Sequence, residues 1–417
     1  MKHFILLVTL LCSLQLIKAQ SLTDSVTMGS GYSSQVYYQL SSQAKYTIPY
    51  SAWDIGFITS LMSGAVISNP NTITVYRVPN LDSTEYTSLT DTAGISNWRI
   101  LYNSDTSWYT GAFNSTANVT NPFDFGWGIY DFNAHIVYGD SLFMVKKDTS
   151  FIKLWIKEKT GTGTYIMRYT YLDGTFDSTV TIDPYSNTDQ NFILYNLQTT
   201  VTVSEPPSAD WDILFNHYIT TIPGLGPYPV TGVQSNIGVT VAKANKVDVN
   251  TVSYTGYLND FLNNLSAIGY DWKTFDPTTF TYTIEDSLVY FVQTRDGKIY
   301  SLRFTGFNSA TGTSIFEVMF DAEVGIHEVN KTLESAMIYP NPANDQFTLA
   351  YSAKKRGTAR VTILDLEGKE VAATSFDMNE GLNVQQIASA SLSDGIYFVK
   401  INSLGDELKL KLILSKK

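Results

Sequence analysis

Alternation of apolar and polar residues through the last eighty positions is the feature that most restricts how this chain can fold. Residues 360–364 read Arg-Val-Thr-Ile-Leu, and residues 409–412 read Lys-Leu-Lys-Leu. Successive side chains of a β-strand point to opposite faces, so a period of two places the apolar residues on one face. Turn residues separate these segments about every 8–12 positions. The pattern predicts a small immunoglobulin-like β-sandwich over residues 338–417.

Several motifs occur in a fixed order within the same segment. It opens on Tyr-Pro-Asn-Pro, continues through VTILDLEGKEV and LSDGIYFVKI, and closes on two lysines. This order resembles the C-terminal sorting domain of the type IX secretion system. The residues that carry the resemblance are Tyr339, Pro340, Asn341, Pro342, Gly395, Tyr397, Lys416 and Lys417. It implies passage through the periplasm and across the outer membrane of a Bacteroidetes-type bacterium. The implied partners are the type IX machinery and its sortase, and the implied location is secreted or on the outer-membrane surface.

The N-terminal residues have the pattern of a secretory signal peptide. A charged start precedes an apolar run from Phe4 to Leu16, and Ala19 supplies a small residue for cleavage. We predict a signal peptide at residues 1–19. The run is shorter than the roughly 20 residues that span a bilayer, and no later run approaches that length, so no transmembrane span is expected. Cys12 is the only cysteine, so the mature chain should lack disulfides and thiolate metal ligands.

The composition of the chain indicates the structural class of the body, the part between the two terminal segments. The whole chain has 39 acidic against 28 basic residues, a net charge of −11. Nucleic-acid binding needs clustered Lys and Arg, so no nucleic-acid partner is expected. The body is rich in Tyr, Thr, Ser, Val and Phe, which is typical of β-sheet proteins. Its length exceeds one ordinary domain. We therefore expect two antiparallel β domains.

Two landmarks recur along the body in the same order, which indicates an internal duplication. A strand-like run before Trp53-Asp54 has a counterpart before Trp211-Asp212, and the run Asp-Ser-Leu at 140–142 recurs at 286–288. We predict a first repeat at residues 20–178, a second repeat at 179–325 and a linker at 326–337.

Two local patterns in the second repeat allow more specific predictions. Leu258, Phe261, Leu262 and Leu265 recur at helical spacing, so we expect one helix that ends at Gly269. The Pro- and Gly-rich run at 222–230 predicts an exposed loop, because proline does not fit a central strand.

The second repeat is similar to a known family. Residues 209–215 (ADWDILF) and 288–299 (LVYFVQTRDGKI) resemble HmuY, a family of secreted haem-binding proteins. The resemblance implies tandem HmuY-like domains that are nearly all β. The founding member binds haem between two loop histidines. No histidine occurs between Tyr218 and Ile326, so the second repeat does not supply that pair.

A haem site would need ligands from both repeats. His135 and His217 are the available pair, because His327 adjoins the linker. They would have to face one iron from opposite sides. The alternative is a pair of unrelated strand and loop histidines. No His-x-His or His-x-x-x-His spacing occurs, so no metal centre is predicted.

Tryptophan and tyrosine residues provide the other candidates. Trp127 lies between two glycines and Tyr228 between two prolines, and exposed rings in such loops could bind a ligand. Trp53-Asp54 and Trp211-Asp212 are expected to be structural: the indole fills a core, and the carboxylate accepts backbone N–H bonds at a strand end. No catalytic residue is predicted.

These observations favour a secreted, non-enzymatic protein that binds an unknown ligand, glycan or protein outside the cell, without a cofactor. A structural or adhesive surface protein is the alternative. Haem binding and an unrecognised hydrolase are also open.

Overall fold

The chain is almost entirely β-structure in a computed structural model that describes residues 21–118, 120–121, 123–131, 133–187, 189–323 and 332–416. More than half of the chain is in strands, and no helix of the described residues reaches seven residues. The strand pairs are antiparallel. The expected mainly β, antiparallel fold is confirmed. The predicted signal peptide, most of the predicted linker, His327 and Lys417 lie outside the described residues.

Thirty strands follow one another along the described chain. Those up to residue 204 are β1 (Leu22–Thr27), β2 (Ser34–Tyr38), β3 (Lys45–Pro49), β4 (Ile55–Ile58), β5 (Val66–Ser68), β6 (Ile73–Asp82), β7 (Ile100–Leu101), β8 (Gly128–Asp131), β9 (Ile136–Gly139), β10 (Ser141–Lys147), β11 (Ser150–Lys159), β12 (Tyr165–Tyr171), β13 (Asp177–Ile182), β14 (Phe192–Tyr195) and β15 (Thr202–Ser204). The next are β16 (Ile213–Ile222), β17 (Gly226–Ser235), β18 (Thr240–Asn245), β19 (Lys273–Asp276), β20 (Thr281–Ile284), β21 (Leu288–Gln293), β22 (Lys298–Asn308) and β23 (Thr313–Glu323). The last are β24 (Leu333–Tyr339), β25 (Gln346–Ala353), β26 (Gly357–Leu364), β27 (Glu370–Met378), β28 (Gly381–Ala388), β29 (Gly395–Ser403) and β30 (Asp406–Leu414). Short 3-10 helices occupy Ser30–Tyr32, Tyr50–Ala52, Ser83–Glu85, Ile95–Asn97, Ala112–Asn114, Pro184–Asn187 and Tyr254–Tyr257.

The helix expected around residues 258–269 is absent from the structure, so that prediction was wrong. Only a short 3-10 helix, Tyr254–Tyr257, occurs there. The backbone of Leu262 instead exchanges two hydrogen bonds with Val241 of β18. Leu258 and Leu262 are more than half exposed, so the helical spacing does not mark a buried face. Pairing with a strand edge satisfies backbone groups that a helix would otherwise satisfy.

Strands β4 to β15 form the first sandwich. Its outer sheet has eight strands in the order β13-β12-β11-β10-β6-β7, with the hairpin β8–β9 attached to β11 through β9. Its inner sheet, inner sheet 1, has the order β15-β14-β4-β5. Apolar residues from both sheets, including Phe57, Phe143, Tyr169 and Ile193, form one buried core. The first sandwich is therefore one continuous segment, residues 55–204.

The second sandwich combines strands from two distant parts of the chain. Its outer sheet has the order β1-β23-β22-β21-β18, and its inner sheet, inner sheet 2, has the order β17-β16-β2-β3. A hairpin, β19–β20, adds to this sandwich. Its core joins Tyr38 of β2 to Phe215, Phe304 and Phe316. The second sandwich thus consists of residues 213–323 together with the first three strands of the chain.

This pairing corrects the predicted limits of the repeats at residues 20–178 and 179–325. Strands β1–β3, placed in the first repeat, belong to the second sandwich, and β14–β15, placed in the second repeat, belong to the first. The sequence similarity identifies equivalent residues, but a duplicated unit can be divided at many points. Where each unit closes depends on long-range strand pairing, which residue similarity does not reveal.

The two inner sheets pack against each other through their second faces. Tyr38 of β2 lies in the core of the second sandwich, whereas its neighbour Tyr37 lies in a separate cluster with Leu194, Ile67 and Leu214. Alternation along a strand that is buried on both sides explains this division. The body therefore has four layers: outer sheet, inner sheet 1, inner sheet 2 and outer sheet.

Strands β24 to β30 form a separate seven-stranded sandwich. Its sheets have the orders β24-β25-β28 and β27-β26-β29-β30, as expected for a small antiparallel sandwich. The sandwich begins at Leu333, so the predicted linker 326–337 extended too far. The ring of Tyr339 packs edge-on against Phe123 of the body, with 4.8 Å between ring centroids. Across the described residues, no helix has both the length and the apolar character to cross a membrane.

Candidate functional site

The Trp-Asp pairs of the two repeats occupy equivalent positions, each just before a central strand of an inner sheet, β4 or β16. Asp54 Oδ2 accepts a 2.8 Å bond from Leu197 N, and Asp212 Oδ2 accepts a 2.8 Å bond from Leu40 N. The backbone N–H of each aspartate also donates across the sheet, to Tyr195 and Tyr38 respectively. The expected structural role of these carboxylates is confirmed. They fix the inner sheets rather than face a reaction site.

The two carboxylates differ in charge compensation. Asp54 is fully buried and pairs with Lys147 Nζ at 2.5 Å. Within the described residues Asp212 has no ion pair of this kind, and burial raises the pKa of its carboxyl group to about 6. Both copies of the Trp-Asp motif thus make the same backbone contacts. The first copy adds the ion pair with Lys147.

A cavity of about 230 Å³ lies between the two inner sheets. Strands of both sandwiches and the loop at residues 100–108 contribute to its wall. Aromatic and amide side chains provide much of that wall: Tyr37, Tyr50, Trp53, Trp108, Phe192, Gln35, Asn69, Asn71, Asn103, Asn216 and Gln234. Pro70, Asn71 and Ile100 are the exposed members, so they mark the mouth.

Hydrogen bonds hold the amides of inner sheet 2 in place. Tyr50 Oη donates to Asn216 Oδ1 at 2.8 Å, and Asn216 Nδ2 donates to Gln234 Oε1 at 2.7 Å. Gln35 Nε2 donates to Tyr37 Oη at 2.7 Å. The bonds of Asn216 join β16 to β17 and to Tyr50, whereas the bond from Gln35 to Tyr37 lies within β2. The cavity wall therefore carries preoriented polar groups on a rigid sheet.

Glu205 is the only acidic residue among the described residues that line the cavity. Its Oε1 accepts bonds from the backbone N–H groups of Asn191 and Phe192, and its Oε2 accepts a 3.3 Å bond from Tyr37 Oη. Burial raises the pKa of Glu205 to about 8, despite these bonds, because an ionised carboxylate is poorly solvated there. At neutral pH the side chain is mainly a neutral acid.

The side chain of Trp53 contributes to the cavity wall. The backbone of Trp53 is held by Asn69 Nδ2, which donates to its carbonyl oxygen at 2.9 Å. The side chain is 5% exposed and lines the cavity, yet its Nε1 has no hydrogen-bond partner within the described chain. A buried N–H without a partner costs about 1–3 kcal/mol. The Nε1 atom is enclosed by the protein and is not accessible from the cavity.

The structure places the predicted aromatic ligand residues elsewhere. Trp127 is fully buried in the first sandwich, and its Nε1 donates to Gly64 O at 2.7 Å. The two glycines that flank Trp127 are required by the backbone. Gly126 has a φ of 77°, and a Cβ at Gly128 would lie 2.4 Å from Tyr138 O. The prediction that Trp127 binds a ligand was therefore wrong: Trp127 is a core residue.

Tyr228 is 47% exposed, but it does not line the cavity. The predicted loop at 222–230 is largely a hairpin instead, in which Tyr228 of β17 pairs with Thr220 of β16. Strand β17 is an edge strand, where prolines are tolerated because one side of the strand needs no N–H donors.

His135 and His217 lie in different sandwiches and share no contact in the described structure. His135 is exposed on the β8–β9 hairpin, and its Nδ1 is 2.8 Å from Tyr130 Oη. His217 lies on β16, and its Nδ1 is 2.5 Å from Asn71 Oδ1 at the cavity mouth. Burial lowers the pKa of His217. The described residues contain no group of three or more His, Cys, Asp or Glu arranged to hold a metal ion.

Sequence reasoning missed the residues that do line the cavity, among them Gln35, Glu205, Asn216 and Gln234. They come from β2, β16, β17 and the segment after β15. Trp53, which lines the cavity, was assigned to the core from the sequence. The duplication was the available signal, because equivalent sheets with two apolar faces must pack against a second layer.

The sorting motif residues are held within the C-terminal sandwich. Asn341 bridges to the last strand: its Nδ2 donates to Lys411 O and its Oδ1 accepts from Ile413 N, both at 2.8 Å. Tyr397 Oη donates to Ser393 O, and Lys416 Nζ donates to Ala390 O. The model of the secretion system C-terminal sorting domain family matches residues 337–415.

The chain ends in a secretion sorting domain. This domain indicates a cargo of the type IX secretion system that is exported to the cell surface or the extracellular space. The match covers the C-terminal sandwich and gives no family for the body.

Solved structures that are similar to this chain include two proteins of Porphyromonas. Apo PinO from Porphyromonas gingivitis is 8% identical over 73% of this chain and 99% of that chain, with a TM-score of 0.28. Dimeric latent PorU from Porphyromonas gingivalis is 10% identical over 84% of this chain and 31% of that chain, with a TM-score of 0.19. No curated protein matches the sequence.

Proposed function

We propose that the mature body is a non-enzymatic protein that binds a small ligand between its two inner sheets, outside the cell. The cavity of about 230 Å³, walled by aromatic rings and by amides held in place by hydrogen bonds, is the observation that carries this proposal. Concave sites with largely apolar walls and a few oriented polar groups are typical of small-molecule binding sites. The resemblance to HmuY and the predicted signal peptide are consistent with a secreted binding protein.

The arrangement of acids favours binding over hydrolysis. A catalytic carboxylate pair needs two acids that face one substrate. Glu205 is the one acid among the described lining residues, and backbone N–H groups already occupy its Oε1. The carboxylates of Asp54 and Asp212 accept backbone N–H bonds at the starts of β4 and β16.

A cavity-filling variant tests the proposal. Ile219 is half-buried at the cavity, so Ile219→Trp should reduce its volume with little strain. The matched control is Ile315→Trp, because Ile315 is 38% exposed on an outer sheet and does not line the cavity.

Thermal unfolding is measured with haemin, protoporphyrin IX, neutral and charged monosaccharides, amino acids and fatty acids. A ligand that binds the folded state raises the Tm. At least one compound should stabilise the wild type and Ile315→Trp but not Ile219→Trp. No stabilisation in the panel, or equal stabilisation of Ile219→Trp, would contradict the proposal.

A further inference from the structure

We infer that the sorting domain is docked on the first sandwich through a specific apolar interface, which keeps the two together after the chain between them is cut. Cutting the chain is then not sufficient to release the sorting domain, and until it separates it covers an apolar surface of the body. This inference is independent of the proposed function, because the interface shares no described residue with the cavity wall.

One sheet of the sorting domain is buried on both faces. Along β25, Leu349 and Tyr351 point into the core of the C-terminal sandwich. Ala350, which lies between them, points to the other face and is nevertheless only 3% exposed. The strand register places Met337 of β24 and Val384 of β28 beside Ala350 on that same face. The outer face of an antiparallel sheet is commonly open to water, so the burial of this face requires a cover.

The first sandwich provides that cover. A crevice of about 40 Å³ at the junction is lined by Met337, Ala350 and Leu382 of the sorting domain and by apolar residues of the body, among them Leu61, Phe123 and Phe125. The rings of Tyr339 and Phe123 meet edge-on, with 4.8 Å between centroids. A Cβ at Gly381 would lie 3.4 Å from Leu61 Cδ1. Apolar groups of the two parts are therefore in van der Waals contact.

The loop that carries Leu61 is held in place by the body. The buried Lys159 Nζ donates to three carbonyl oxygens of this loop at 2.5–3.0 Å, those of Ser60, Leu61 and Ser63. Trp127 Nε1 donates to Gly64 O at the end of the loop, at 2.7 Å. A surface that is already ordered loses little conformational entropy when a partner docks on it. The loop is thus a preformed part of the docking surface.

Two leucines allow the interface to be weakened from either side. Leu61 and Leu382 are half-buried, but neither belongs to the core of its own sandwich. Leu61→Asn and Leu382→Asn should therefore weaken docking while each sandwich stays folded. The matched controls are Leu225→Asn in the body and Leu366→Asn in the sorting domain, because both leucines are 68% exposed and neither lines the crevice.

Cleavage of the folded chain followed by gel filtration tests the inference. A protease recognition sequence is inserted between residues 328 and 329 of the chain 20–417, and the purified protein is cut. The two wild-type fragments should co-elute at about 10 µM, which needs a Kd of roughly 1 µM or less. They should also co-elute in about 1 M NaCl, where the Debye length is ~3 Å, because an apolar contact is not screened.

A dilution series of the cut proteins gives the Kd of each variant. Leu61→Asn and Leu382→Asn should each raise it about 10-fold or more, as expected for a leucine side chain that loses its apolar contact. Leu225→Asn and Leu366→Asn should leave it unchanged. Circular dichroism of the uncut proteins checks folding, and if one interface variant does not fold, the other tests the same contact from the opposite side.

Three outcomes would contradict the inference. Separation of the wild-type fragments as soon as the chain is cut would show that only the covalent connection holds the sorting domain. Loss of co-elution at high salt would refute the apolar character of the interface. Equal Kd values for the wild type, Leu61→Asn and Leu382→Asn would refute its position.

Discussion

Replacing Glu205 with glutamine should change how the stability of this protein depends on pH. Glutamine keeps the shape and an oxygen that can accept the N–H bonds of Asn191 and Phe192. It removes the ionisable proton. The free energy of unfolding of the wild type should therefore fall with rising pH relative to that of Glu205→Gln.

The direction follows from the pKa of Glu205. Burial raises this pKa from an ordinary value of 4.5 to about 8. Between these values the folded state holds a proton that the unfolded state releases, so stability decreases as pH rises. The stabilisation is complete below pH 4.5 and is lost through pH 8. For one group with these two pKa values, the loss between pH 5 and pH 8 is about 3.5 kcal/mol.

Urea unfolding followed by tryptophan fluorescence at pH 5, 6.5 and 8 measures this difference. The contribution of Asp212, whose pKa is about 6, is present in both proteins and cancels. Glu285→Gln is the matched control, because Glu285 is exposed in the same body, and it should follow the wild type. If wild type and Glu205→Gln lose stability in parallel between pH 5 and pH 8, Glu205 is not held protonated in the folded protein.

Two further predictions concern the aspartate pair and export. Asp54→Asn should destabilise the protein by about 3–5 kcal/mol, since it leaves Lys147 buried beside a neutral group; Glu370→Gln, which breaks the exposed pair with Arg360, should cost less than about 1 kcal/mol in the same urea titration. Deleting residues 338–417 should retain the protein in the periplasm, because this segment contains most of the sorting domain, and fractionation with immunoblotting would contradict the assignment if the truncated protein reached the medium at normal levels.

Some features of the fold were accessible from local sequence. Alternation at residues 360–364 and 409–412 predicted strands that the structure contains as β26 and β30. The Trp-Asp repeats predicted carboxylates bonded to backbone N–H groups, which Asp54 and Asp212 are. The helix near Leu258 was wrong because helical spacing of leucines does not show whether a face is buried. Leu262 pairs with β18 instead.

The candidate site was much less accessible. Trp127 and Tyr228 were chosen as ligand-binding residues because glycines and prolines flank them. The structure explains these flanking residues by the backbone alone: another strand approaches Gly128 closely, and the prolines lie on the edge strand β17. The cavity depends on residues such as Gln35 and Gln234, which are 199 positions apart in the sequence and meet only when β2 and β17 enter inner sheet 2. No single segment of the sequence contains a pattern that predicts the wall of this cavity.

The sequence by itself determined the β-structure, the equivalence of the two repeats and the sorting domain, because each depends on contiguous residues: side-chain alternation, a recurring motif and an ordered set of short motifs. Tertiary structure decided where the repeats close and where the cavity lies. Closure requires β1 to pair with β23 and β2 to pair with β16, each more than 150 residues later in the chain. The cavity requires two sheets to bury their second faces against each other. Both are outcomes of long-range packing, whose free energy is shared among residues far apart in the chain.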